Sequence, residues 1–145
     1  MMIAQIILTI TVVCSLNQEL TPNSLTEYLS CKVDERQVHA VNEWSSLIEQ
    51  HFKPEDHIRA LKIIYCESKG KTYAKGKNKD GTFDVGIWQF NDHTWAWLKP
   101  KLKITSTRYD PEVSTVVASW LVYNDGWYHW NSSKHCWGDN NDRQK

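Results

Sequence analysis

Net charge is the first thing this 145-residue chain lacks: 17 Lys and Arg stand against 17 Asp and Glu. That balance speaks against a strongly basic nucleic-acid binder. Internal repeats and low-complexity tracts are absent as well, so repeat architectures and biased linkers are excluded. No CxxC pair occurs, no Cys/His run has metal-ligand spacing, and the six His are scattered. Neither a metal nor a cofactor is therefore expected. The longest apolar run, Met2 to Val13, is too short to span a bilayer as a mature helix. What remains is ordinary for a globular domain, with 41% hydrophobic and 23% charged residues in 17.0 kDa. Such a chain holds one core and one domain. Tryptophan alone is abundant, at eight residues. Rings of that size suit the lining of a groove as well as a core.

The Met2–Val13 run is broken only by Gln5, Thr9 and Thr11, and small residues follow at Cys14 and Ser15. The pattern predicts a secretory signal peptide over residues 1–15, cut after Ser15. No Lys or Arg precedes the run, so an uncleaved anchor is the alternative. Cleavage would leave three cysteines, Cys31, Cys66 and Cys136. An oxidising compartment favours one disulfide with one Cys left over. Spacing leaves all three pairings open.

Residues 16–53 read as an acidic helical segment, with Val38, Val41, Trp44, Leu47 and Ile48 at helical spacing. Lys53-Pro54 breaks it, and Pro54, Glu55 and Asp56 open the next helix. There Ile58, Leu61, Ile64 and Tyr65 form the expected buried face. Cys66 and Glu67 lie at its C-terminal end, and Gly70 stops it. The turn-rich stretch from Asn78 to Thr82 separates short strands expected at 72–73 and 82–85. Asn91 or Asp92 caps a helix that ends near Pro100. Asp110-Pro111-Glu112 starts another, whose Val113, Val116, Val117, Trp120 and Leu121 predict the most buried helix of all. Trp127, Tyr128, Trp130 and Trp137 crowd the C-terminal loop, and residues 139–145 form a polar tail. The sum is an α+β fold, mostly α, with a small β-hairpin.

Charge is also unevenly placed. Residues 19–50 carry six acids against Lys32 and Arg36, whereas residues 53–103 carry eleven Lys/Arg against six acids. Two solvated faces would account for this, as would a basic half that attracts an anionic polymer.

Glu67 falls where an apolar helix stops. Partial desolvation there raises a carboxyl pKa and keeps the group protonated near neutrality. A general acid needs that state. Seventeen residues later Asp84 lies on the second strand of the hairpin. A helix end packed on a hairpin leaves a cleft, and two carboxyls flanking a cleft suit glycosidic-bond cleavage. Trp88 and Trp127 offer flat rings for sugar stacking. Gln89 and Asn91 offer amides for hydroxyl or N-acetyl groups. Trp95 and Trp120 are assigned to the core.

The segment Asn78-Lys79-Asp80-Gly81-Thr82-Phe83-Asp84-Val85-Gly86-Ile87-Trp88-Gln89-Phe90-Asn91 closely resembles the hairpin of animal chicken-type lysozymes. Those read Asn-x-Asp-Gly-Ser-x-Asp-x-Gly-Ile-x-Gln-Ile-Asn. Glu67-Ser68 resembles their catalytic Glu-Ser, at a matching interval. The same segments resemble the Glu-Ser and Gly-Leu-x-Gln motifs of soluble lytic transglycosylases, which share the lysozyme-like fold. Cys66-Glu67-Ser68-Lys69-Gly70, the Gly126-Trp127-Tyr128-His129-Trp130 ending and Cys136-Trp137 look more like that second group. The resemblance covers residues 54–138, which would form the lysozyme-like catalytic domain with its hairpin beside the active-site cleft. It also implies a Cys66–Cys136 disulfide, with Cys31 free or bridging to another chain. The chain departs from both groups in places. Its mature form would hold three Cys where chicken-type lysozymes hold eight, and Trp88 stands where transglycosylases usually have Met. In the third transglycosylase motif, Ala-x-x-Tyr, Trp120 occupies the Ala place and only Tyr123 carries over. Residues 16–52 match neither group.

The resemblance implies a secreted enzyme acting on peptidoglycan glycan strands. Its target would be the β-1,4 bond between N-acetylmuramic acid and N-acetylglucosamine. Glu67 would act as acid and then base. In hydrolysis Asp84 attacks or stabilises the sugar cation. In intramolecular transglycosylation the muramic 6-hydroxyl attacks and Asp84 is structural. Trp88, Gln89, Asn91, Tyr123 and Trp127 would bind the glycan. The expected protein is a monomer with no nucleic-acid partner and no membrane attachment after signal cleavage. A non-catalytic glycan-binding protein on the same fold is the alternative. Asn131-Ser132-Ser133 fits the N-glycosylation pattern.

Overall fold

Thr21 and Ser24 begin the helical part by capping each other's amides, and Pro22 takes the first helical position. This is the start of α1, Pro22–Ala40, in a computed structural model that describes residues 10–15 and 21–139. A single 3-10 turn over Asn42–Trp44 leads into α2, Ser45–His51. The expected acidic helical segment is thus two helices, and its residues 16–20 lie outside the described residues.

Helix α3, His57–Ser68, follows a 3-10 turn that begins at Pro54. It packs against α1, α2 and the C-terminal α6, Lys134–Trp137. Its Ala60, Leu61, Ile63 and Ile64 have no exposed surface. Burial of each larger side chain contributes about 1.5–3 kcal/mol. Lys62 joins them in the interior, its ammonium 2.9 Å from Asp34 of α1. The acidic segment is thereby tied to the basic half through a pair in which neither charge is fully solvated. At the outer edge of α3 Ile58 is 39% exposed, so the expected buried face is shifted toward Ile63.

The strands are short. β1 is Lys75–Lys77, β2 is Phe83–Val85 and β3 is Phe90–Asn91, all antiparallel in the order β1-β2-β3. The strand expected at 72–73 begins two residues later than its predicted end, because Thr72 and Tyr73 close a turn in which the Ala74 amide bonds the Lys71 carbonyl. Gly86 ends β2 with φ +85°, and a Cβ there would lie 2.1 Å from the carbonyl oxygen of Arg108. Only glycine allows that approach. Arg108 uses it to brace the sheet: its guanidinium donates to the carbonyls of Phe83 and Phe90 and pairs with Asp92 at 2.7 Å.

Asn91 caps α4, Asp92–Lys101, and Asp110 caps α5, Pro111–Asp125. The expectation that α5 is the most buried helix fails. Val116 is 43% exposed and Trp120 is half-buried, while Ser114, Thr115, Val117, Ala118, Leu121 and Val122 face the core. The buried stripe keeps the expected Val117 and Leu121 and adds Ser114, Thr115, Ala118 and Val122. A 3-10 segment, Trp127–Ser133, then leads into α6.

Two disulfides hold the described residues. Cys66–Cys136 joins α3 to α6, as the family resemblance implied. Cys31 is neither free nor intermolecular: it bonds Cys14, inside the stretch read as a leader. Ile10 and Val12 of that stretch pack against the core. Residues 1–9 and 140–145, most of the apolar run and of the polar tail, lie outside the described residues. No described helix is long and apolar enough to cross a membrane.

Candidate active site

Glu67 and Ser68 are the last two residues of α3. Ser68 is buried, with Oγ 3.0 Å from the Ile64 carbonyl, 2.9 Å from that of Ile87 and 3.1 Å from the Gly70 amide. The Glu-Ser pairing thus fastens the helix end to the chain beyond β2. Glu67 is left facing a small cavity of about 100 Å³. Asp84, Gln89, Phe90, Asn91 and Thr94 line one side of it, and His129, Trp130 and Ser132 the other.

Burial raises the Glu67 pKa, and the negative charge of Asp84 raises it further. The Ser133 hydroxyl opposes both by donating to Glu67 Oε1, but the net shift is upward. Behind this carboxyl stands an aromatic wall. Trp130 is buried, its indole N–H donates to the Trp88 carbonyl at 3.0 Å, and its ring lies 5.4 Å from that of Trp88. Water is thereby kept from one side of the acid.

Asp84 is the middle residue of β2, opposite Gly76 of β1 and Asn91 of β3. The Asn91 amide donates to Asp84 Oδ1 at 2.9 Å, and its own Oδ1 accepts the His93 amide. Gln89 sits at φ +50°, with both amide donations spent on the carbonyls of Ala74 and Gly86 at 3.1 and 2.9 Å. Its Oε1 has no donor among the described residues and can accept from a ligand. Both amides thus line the cavity, as expected, but their first task is to shape the hairpin.

Three expected ligand contacts lie elsewhere. Trp88 has no exposed surface; it stacks on Phe52 at 5.6 Å and donates to the Thr115 hydroxyl at 3.0 Å. A ring so enclosed has no face for a sugar. Tyr123 does not line the cavity. Its hydroxyl donates to Asp56 and accepts the Lys53 amide, both at 2.8 Å, and burial helps push its pKa up to about 12. Trp127 lies under the Arg59 guanidinium and against Phe52, beside a neighbouring groove. The residues missed by sequence reasoning come from the 3-10 segment. Ser133 bonds the acid, Ser132 lines the cavity, and His129 is held at 2.7 Å by Asp125. No local pattern marks Ser133, which lies 66 residues from its partner. Among the described residues no cluster of His, Cys, Asp or Glu is placed to hold a metal.

The transglycosylase SLT domain family matches residues 50–126, more than half of the chain. The chain belongs to that family. The SLT match encloses Glu67, Asp84, Gln89 and Asn91, and stops before His129, Trp130, Ser132 and Ser133. This SLT domain therefore completes its cavity with residues beyond the matched range. Peptidoglycan-cleaving activity of the transglycosylase type is the general function of the family. No curated protein and no solved structure matches the chain.

Proposed function

We propose that this SLT domain cleaves the β-1,4 bond between N-acetylmuramic acid and N-acetylglucosamine by intramolecular transglycosylation, with Glu67 as the sole acid and base. The observation that carries the reading is the half-buried carboxyl of Glu67, its pKa raised, in a cavity lined by polar groups. Protonated Glu67 gives its proton to the glycosidic oxygen as the bond to C1 of muramic acid breaks. The resulting carboxylate takes the proton of the muramic 6-hydroxyl as that oxygen bonds to C1. A 1,6-anhydro end forms and Glu67 is protonated again. Asp84, hydrogen-bonded to Asn91, keeps negative charge near the developing cation and needs no covalent step. Two disulfides suit an oxidising compartment, so the enzyme works outside the cytoplasm.

Hydrolysis is the second reading, favoured by the presence of Asp84 in the same cavity. Mass spectrometry of products from purified peptidoglycan separates the two. Anhydro-muramic ends, lost in Glu67→Gln, are the expected result. Reducing muramic ends would make Asp84 a chemical participant. Intact peptidoglycan after treatment with the wild type would sink both readings in favour of a glycan-binding module.

A further inference from the structure

Between Lys69 and Lys79 every second residue is exposed: Lys69, Lys71, Tyr73, Lys75, Lys77 and Lys79. Five of the six are lysines, and none forms an ion pair among the described residues. Tyr73 is 85% exposed, its ring touching only that of Tyr109 at 6.1 Å among the described aromatic rings. The start of the row is held rigidly. The Trp44 indole donates to the Gly70 carbonyl at 3.1 Å, and Gly70, at φ +75°, would meet that indole at 3.0 Å if it carried a Cβ. Trp44, Lys69, Lys71 and Tyr73 there wall an open groove whose one acid is Glu43.

The sheet register decides which way the row faces. Gly76 lies directly opposite Asp84, and opposed residues share a face. Lys75 and Lys77 flank Gly76 and so project to the other face, where Lys75 Nζ sits 4.1 Å from the Phe83 ring centroid. These ammonium groups point away from the carboxyl-lined cavity. A glycan strand in the cleft cannot be what these two lysines serve.

We propose that this row is a docking strip for a second wall component, a linear phosphodiester polymer bound outside the catalytic cleft. The proposal rests on the wall-acting reading given above. Lysine binds phosphate as a point charge. Lys75 and Lys77, alternate residues on β1, stand about 6.6 Å apart, a spacing suited to a chain with one charge per short repeat. The strip retains the enzyme on anionic walls although its net charge is zero.

The test is co-sedimentation of the full chain, as Glu67→Gln to prevent digestion, with walls rich in glycerol-phosphate polymer and with the same walls stripped by hydrofluoric acid. Retention on native walls is expected to fall about tenfold on stripping, and likewise as salt rises from 50 to 300 mM. Adding Lys71→Gln, Lys75→Gln, Lys77→Gln and Lys79→Gln should reduce native-wall binding to the stripped level. If that variant does not fold, Lys75→Gln/Lys77→Gln is compared with Lys99→Gln/Lys103→Gln, and only the first pair should weaken binding. Equal retention on native and stripped walls overturns the proposal, even if the lysines matter, because the ligand would then be peptide carboxylate. Equal losses from the two lysine pairs overturn it too, as does binding of duplex DNA as tight as that of native walls. Cleavage of peptide-free glycan strands by the wild type and by the four-lysine variant reports on the catalytic reading alone.

Discussion

Glu67 reaches the cleft from the end of a twelve-residue helix whose central side chains are wholly buried, whereas Asp84 reaches it from a three-residue strand with partners no longer than itself. The helix side supplies a desolvated environment in which Glu67 holds its proton, tempered by one hydroxyl from Ser133. The hairpin side is polar. It ties Asp84 to Asn91, Asn91 to Thr82, and Gln89 to two backbone carbonyls. Like carboxyls thus acquire unlike chemistry from their supports. In the proposed mechanism one wall moves a proton and the other holds a shape.

The largest expected effect breaks the helix side. Glu67→Gln should lower cleavage about 10³-fold, measured as release of soluble muropeptides, because the amide can neither give nor retake the proton. Asp84→Asn probes the hairpin side and should cost about tenfold, since its role there is electrostatic and structural. An equal loss in the two variants would erase the asymmetry and favour hydrolysis. Ser133→Ala should lower kcat about threefold with little change in KM. It should also move the alkaline limb of the pH profile upward. The lost hydrogen bond favours the carboxylate, so without it Glu67 stays protonated, and competent as an acid, to higher pH.

The smallest effect is on stability. A carboxyl whose folded-state pKa is raised binds its proton more tightly folded than unfolded. Its contribution therefore declines as pH rises from the ordinary value of 4.5 through the raised one, and is level above that. Glu67→Gln should match the wild type in Tm near pH 4 and exceed it at pH 7.5, by about 2 °C. A constant difference across that range would mean that burial is not what shifts this group.

Much of this arrangement is legible in the sequence because the chemistry sits in short, fixed-spacing segments. Glu67-Ser68 ends an apolar helix, and the turn residues from Asn78 to Gly86 specify a hairpin by local conformation alone. Asp110-Pro111 likewise marks its helix start through one cap. Other features depend on partners distant in the chain. Trp88 reads as a sugar platform because it adjoins the motif, yet Phe52 and Thr115 enclose it. Tyr123 is drawn away by Asp56 and Lys53. The apolar spacing of α5 finds Val117 and Leu121, but Val116 is exposed and Trp120 half-buried, while Ser114, Thr115 and Ala118 turn inward. Cys31 reads as unpaired because its partner, Cys14, falls inside the stretch that reads as a leader.

Cys66 directly precedes Glu67, and Cys136 lies three residues beyond Ser133. The bond between them closes a covalent ring around the catalytic body, and the lysine-rich row from 69 to 79 lies inside that ring. A trypsin-like protease that nicks the row therefore opens the chain without releasing a fragment. The acid and its hydroxyl partner stay on tethered pieces, and the nick is visible in a gel only after reduction. That topology separates being cut from being lost.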